Sequence, residues 1–133
     1  MREIITNNFS ETQKLGEEYA EQIKAGGILC LEGELGAGKT TFTQGLLKGL
    51  GCEGPFTSPT FVLMKKYKEN IYHLDAYRIS ENNLTDLGWE ELIENKKNII
   101  IIEWPERIKA KIPSGAKWIK FFWLDENQRK VIF

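Results

Sequence analysis

Gly33-Glu34-Leu35-Gly36-Ala37-Gly38-Lys39-Thr40 is the stretch of this chain whose residue types and spacing define the most specific chemistry. It fits the pattern G-x-x-x-x-G-K-[ST] and stands between an apolar run and a helical pattern, the context such a motif requires. Glycines let successive backbone N–H groups turn inward as an anion nest, and a helix that starts there adds the positive end of its dipole. That combination binds phosphate. Lys39 supplies a point charge for the β and γ phosphates, and the Thr40 hydroxyl completes a Mg²⁺ shell. Glu34, Leu35, Gly36, Ala37, Gly38, Lys39, Thr40 and Thr41 are therefore the expected nucleotide-binding residues. A glycine-rich turn that merely carries a lysine is the duller alternative, and the flanking elements argue against it.

A site of this kind needs a carboxylate at the end of a neighbouring strand to hold Mg²⁺ through water. Glu103, after Asn98-Ile99-Ile100-Ile101-Ile102, stands in that position. Asp75 ends a second apolar stretch, Ile71-Tyr72-His73-Leu74, and could orient an attacking water or join the metal shell. The catalytic candidates are thus Asp75 and Glu103, and the metal candidates Thr40, Glu103 and Asp75. Against both acids stands the plainer role of a helix cap or a solvated charge. His73 is the only histidine, which excludes a multi-histidine metal site, and it reads as structural. Trp104, directly after Glu103, could pack beside the nucleotide or a partner; Arg78 and Arg107 could pair phosphate charge or make surface ion pairs. The base-reading Asn-Lys-x-Asp segment of GTPases is missing, its nearest approach being Glu94-Asn95-Lys96-Lys97-Asn98, so ATP is the expected nucleotide. No H-R-D or D-F-G segment of protein kinases occurs either.

The elements that must position these residues follow from periodicity. Residues 2–9 can form a first strand, and Ser10 with Gln13 has the spacing of a capping box opening a helix. Leu15, Tyr19 and Ile23 share one face of that helix, which Gly26-Gly27 ends before a strand over Ile28 to Leu31. A second helix from about Lys39 turns Phe42, Leu46, Leu47 and Leu50 inward and stops at Gly51. Phe61 to Tyr67 and Ile71 to Tyr77, joined by Glu69-Asn70, suggest an antiparallel hairpin. Residues 84–95 read as helix, Asn98 to Glu103 as a strand buried on both faces, and Pro105 as the start of a short helix. Residues 116–124 and 129–133 alternate as a final strand pair. The sum is a single α/β domain over 1–133, a three-layer sandwich of the P-loop NTPase type with a mixed, mostly parallel central sheet.

Composition is consistent with this and narrows the partners. With 18 Lys and Arg against 19 Asp and Glu among 133 residues, no overall positive field draws the chain onto nucleic acid or acidic lipid. Local basic groups, such as Lys65, Lys66 and Lys68, read as solvated faces. Cys30 sits in an apolar run and Cys52 beside a turn, as in a reduced cytosolic protein. The longest aliphatic run, Ile99 to Ile102, is far too short to span a bilayer, and the N-terminus has no signal-peptide pattern.

Four segments together give the chain a resemblance to the bacterial TsaE (YjeE) family, the ATPases of tRNA threonylcarbamoyladenosine biosynthesis. They are Gly33 to Thr41, Thr57-Ser58-Pro59-Thr60-Phe61, His73-Leu74-Asp75-Ala76-Tyr77-Arg78, and Ile101-Ile102-Glu103-Trp104-Pro105-Glu106. The resemblance implies that Glu103 is the Walker B acid, that Asp75 serves the metal or the water, and that Thr57 to Thr60 is a switch-like loop near the γ phosphate. It also implies an ATPase with ATP and Mg²⁺ as cofactors, cytoplasmic, supporting TsaD-like and TsaB-like partners that transfer a threonylcarbamoyl group to tRNA. Contact with tRNA is then indirect, and no membrane is involved. The rival expectations are a small-molecule phosphotransferase, which calls for a substrate pocket and an arginine-bearing lid, and a nucleotide sensor that does not hydrolyse.

Overall fold

The computed structural model describes residues 2–54 and 64–133, so the Thr57 to Thr60 segment and Phe61 lie outside the described residues. Seven strands form one sheet in the order β1-β7-β6-β2-β5-β4-β3. They are β1 (Glu3–Thr6), β2 (Gly27–Glu32), β3 (Met64–Lys68), β4 (Ile71–Asp75), β5 (Ile99–Glu103), β6 (Lys117–Trp123) and β7 (Arg129–Ile132). The strands β6, β2, β5 and β4 run parallel, while the β3–β4 hairpin at one edge and β6–β7–β1 at the other are antiparallel.

Side-chain alternation along these strands fills two layers, as the period of two requires. Leu29, Leu31, Ile99, Ile101, Ile119 and Phe121 face α1 (Phe9–Ile23) and α2 (Lys39–Gly49), where Tyr19, Ile23, Phe42 and Leu46 meet them. Cys30, Ile100 and Ile102 face the other way, toward Leu84 of α3 (Glu81–Asp86), Trp89 of α4 (Trp89–Glu94) and Ile108. Every residue of β5 is buried, which is why four consecutive isoleucines precede Glu103. Burial pushes the Cys30 thiol up to about 12, with Glu32 adding to the effect, so this sulfur stays protonated and inert.

Two helices pack unusually closely on the first face. A Cβ on Gly45 of α2 would fall 1.8 Å from the Gln13 carbonyl oxygen of α1, and one on Gly16 would fall 2.1 Å from the Phe42 oxygen. Only glycine permits that approach, and it holds the start of α2, which follows the Gly33 to Lys39 loop, firmly against α1.

Three local expectations are corrected. The first helix is capped by Asn8 and not by Ser10: the Asn8 side chain accepts from the Glu11 backbone N–H at 2.9 Å, and the Glu11 carboxylate accepts from the Asn7 N–H at 2.9 Å. The first strand therefore stops at Thr6. The helix expected over 84–95 is two helices, because Gly88 adopts a left-handed conformation (φ 75°) between them. Ser80 caps the first of these in a reciprocal box with Asn83. The β4 strand ends at Asp75 and not at Tyr77, since Ala76–Arg78 turns as a short 3₁₀ helix. Among the described residues no helix is long and apolar enough to cross a membrane.

Candidate functional site

β2, β5 and β4 end at one level of the sheet, with Leu31 opposite Glu103 and Glu103 opposite Asp75. In open α/β sheets the crevice beyond the carboxyl ends of the strands is where ligands bind. Here it is a cleft of about 320 Å³ whose walls include Gly36, Lys39, Thr40, Asp75, Glu103 and Trp104.

The loop between β2 and α2 is shaped by its glycines. Gly38 stands at the N-cap of α2 with φ 105°, a conformation that L side chains rarely adopt, so the chain enters the helix abruptly, and the helix starts at the cleft wall. In front of Gly36 there is no atom within 4 Å of where a Cβ would sit, leaving backbone open to a ligand. Leu35, Gly36, Gly38, Lys39, Thr40 and Thr41 line the cleft. Glu34 and Ala37 do not; Ala37 is turned into the core and its N–H is donated to the Glu34 carbonyl at 3.0 Å. The bond between them closes a turn of the loop backbone.

Lys39 is buried, and its ammonium donates to the Gly33 carbonyl at 2.6 Å while lying 3.7 Å from the centroid of the Trp104 ring. Burial pushes it below the usual lysine range, and the negative charges of Glu103, Glu106 and Asp75 pull in the opposite direction. Trp104 is the one non-glycine residue at positive φ (59°) among those described. This strained conformation swings the indole from the end of β5 back over Lys39. The Tyr77 ring meets the indole edge-on at 5.1 Å, and Arg107 lies 4.7 Å over Tyr77.

The two acids differ in setting. One Asp75 oxygen accepts from the Tyr77 N–H at 3.0 Å, so Asp75 caps the following turn and lines the cleft at once. Glu103 is buried and bonded through Oε2 to His73 Nε2 at 2.7 Å. His73 is itself buried, and its Nδ1 has no partner. From the sequence alone this histidine reads as structural. The signal was the H-x-D spacing, which places His73 and Asp75 on one face of β4 beside β5. Arg129 is the other residue that sequence reasoning missed. From β7 it reaches the cleft, donating through Nε to the Gly36 carbonyl at 3.0 Å and through Nη1 to the Asp125 carbonyl at 2.6 Å. Arg78 is exposed and does not line the cleft.

The donor set suits the ligands expected from the sequence. A buried cation, loop amides at a helix start and an open face before Gly36 fit a polyphosphate. Two carboxylates and a threonine hydroxyl fit Mg²⁺, which keeps several waters and takes few protein oxygens.

Comparison with known proteins identifies the family. The model of the family "Threonylcarbamoyl adenosine biosynthesis protein TsaE" matches residues 6–131. A Nostoc protein named tRNA threonylcarbamoyladenosine biosynthesis protein TsaE is 40% identical over 98% of this chain and 83% of its own length. An Aquifex aeolicus protein of the same name is 38% identical over 98% of this chain and 94% of its own. The crystal structure of Bacillus subtilis YdiB superimposes with a TM-score of 0.81 at 31% identity, covering 98% of this chain and 82% of that one. With its family model matched almost end to end and relatives this similar, the chain belongs to the TsaE family.

Proposed function

We propose that this chain is the Mg²⁺-dependent, ATP-binding and ATP-hydrolysing subunit of tRNA threonylcarbamoyladenosine biosynthesis. The observation that carries this reading is the convergence on one cleft of the Lys39 ammonium, the start of α2 and the two strand-end carboxylates, Asp75 and Glu103. Lys39 would exchange its bond to the Gly33 carbonyl for phosphate oxygens, at little cost in reorganisation because the ammonium is already held in place. Thr40, Glu103 and Asp75 would hold Mg²⁺, directly or through water, and the carboxylates would orient the attacking water. Bound there, the ion would neutralise phosphate charge. His73 fixes the rotamer of Glu103 beneath the site.

The names of the relatives support the pathway. This chain would act in the cytoplasm, with TsaD-like and TsaB-like proteins carrying out threonylcarbamoyl transfer to adenosine in tRNA, and it would meet tRNA only through them. The test is reconstitution. Modified adenosine formed by purified partners over many turnovers should require this chain, ATP and Mg²⁺ together, and full activity without the chain would contradict the proposal.

A further inference from the structure

We propose that the cavity at the other end of the sheet, where β2, β5 and β6 begin, is a binding site for a small carboxylate with a compact apolar body and one N–H or O–H donor. It shares no lining residue with the phosphate cleft.

β2, β5 and β6 run parallel, so their first residues gather at the edge of the sheet opposite to Leu31, Glu103 and the cleft. Ile28 and Ile100 are paired there, three residues back from Leu31 and Glu103 along each strand and so roughly 10 Å away. Leu92 and Ile93 come from α4, and Pro113 and Ala116 from the turn that leads into β6, closed by the Ala116 N–H on the Pro113 carbonyl at 3.1 Å. Together these elements enclose about 280 Å³. Ile28, Leu92, Ile93, Pro113 and Ala116 are only half-buried. An apolar body seated against them removes that surface from water, and the volume is close to the lower end of ligand pockets, about 300 Å³.

Three polar side chains fix what that body must carry. Asn98 lines the cavity and is 7% exposed. Its Nδ2 donates to the Leu92 carbonyl at 3.0 Å, which sets the orientation of the amide and leaves Oδ1 as an acceptor without a partner. An acceptor in so buried a residue calls for a donor, and a ligand N–H or O–H supplies it. Lys96 and Asn95, both exposed, stand at the mouth. The ion pairs among the described residues join Lys24 to Glu21 and His73 to Glu103, so the Lys96 ammonium has none. Asn95 Oδ1 is taken by the Lys97 N–H at 3.0 Å, which leaves the amide nitrogen of Asn95 to donate outward. A carboxylate answers both donors, and no acidic residue lines the cavity to repel it.

Indolepropionate combines the apolar body, the donor and the carboxylate, and its binding to the full chain can be read from backbone amide shifts in an NMR titration. The amides of Ile28, Leu92, Asn98 and Ile100 should move together with a Kd of about 1 mM or tighter, the range for a ligand of this size. Naphthylpropionate, which lacks the donor, and indole, which lacks the carboxylate, should each bind about fivefold more weakly. Lys96→Ala should weaken indolepropionate about fivefold and leave indole unchanged; the residue is exposed, so the variant folds. Amides that stay unmoved at several times that concentration would overturn the site, as would shifts centred on Gly36 and Thr40, which would put the probe in the phosphate cleft. Equal affinity for the three probes, or a Lys96→Ala variant that binds indolepropionate like the parent, would overturn the assigned chemistry and fit a pocket for an apolar side chain of another protein instead.

Discussion

The ammonium of Lys39 is bonded at 2.6 Å to the carbonyl oxygen of Gly33, the residue that opens its own loop. The cation is thus parked where a phosphate would take over, with Trp104 as its roof. Lys39→Ala keeps the loop amides but removes the buried charge aimed at the cleft. Affinity for ATP should fall about 100-fold or more by calorimetry, as expected for losing a charge-assisted contact to phosphate. The ligand-free variant should melt no lower than the parent, since a desolvated ammonium is lost. Unchanged affinity would place the phosphates elsewhere.

Asp75 and Glu103 face one another across β4 and β5, at the edge of the cleft. Groups that place metal and water matter most in the transition state, so Asp75→Ala and Glu103→Ala should each lower turnover by about 100-fold while nucleotide affinity changes less than about tenfold. Parent rates in both variants would remove the two acids from the chemistry.

His73 is the buried partner of Glu103. His73→Leu leaves a buried carboxylate without its bond and should cost about 1–3 kcal/mol in urea unfolding, with a loss of turnover exceeding any change in KM. His73→Gln, whose amide nitrogen can reach the place of Nε2, should recover part of both. Equal turnover loss in the two variants would show that His73 does not act by holding Glu103.

Gly45 is where α2 touches the backbone of α1. Gly45→Ala should destabilise the fold by about 3 kcal/mol, the upper end of overpacking costs, because the obstructing atom is a carbonyl oxygen and not a flexible side chain. A melting temperature equal to the parent's would mean that the helices separate without cost.

Much of this architecture was legible in the sequence because it rests on local signals. The aliphatic run before Glu103 reads as a central strand since both its faces are buried, and the glycines before Lys39 fix the loop by backbone geometry alone. What escaped is non-local or competitive. Ser10 and Asn8 are both good caps, and the choice fell to Asn8 because Glu11 returns a bond to Asn7. Arg129 lies 93 residues from Gly36 in sequence, and no spacing rule connects them. His73 has an apolar neighbour on either side and reads as core; only the pairing of β4 with β5 brings it to Glu103. The stretch over 84–95 is interrupted at Gly88, whose left-handed conformation separates α3 from α4.

The central claim is that this chain hydrolyses ATP in the service of partner proteins. Its cleft is open at the surface, and among the described residues Arg129, whose Nε and Nη1 are bonded to backbone carbonyls, is the one arginine lining it. P-loop hydrolases that lack a free arginine in place are slow until a partner supplies or positions the missing charge, a contribution of about 10³ to 10⁵ in rate. Steady-state ATP hydrolysis should therefore be measured for the chain alone and after adding TsaD-like and TsaB-like proteins with tRNA. The account predicts slow turnover alone and a large acceleration in the complex, lost in Glu103→Ala; rapid turnover alone that the partners leave unchanged would contradict it and favour a self-sufficient hydrolase or phosphotransferase.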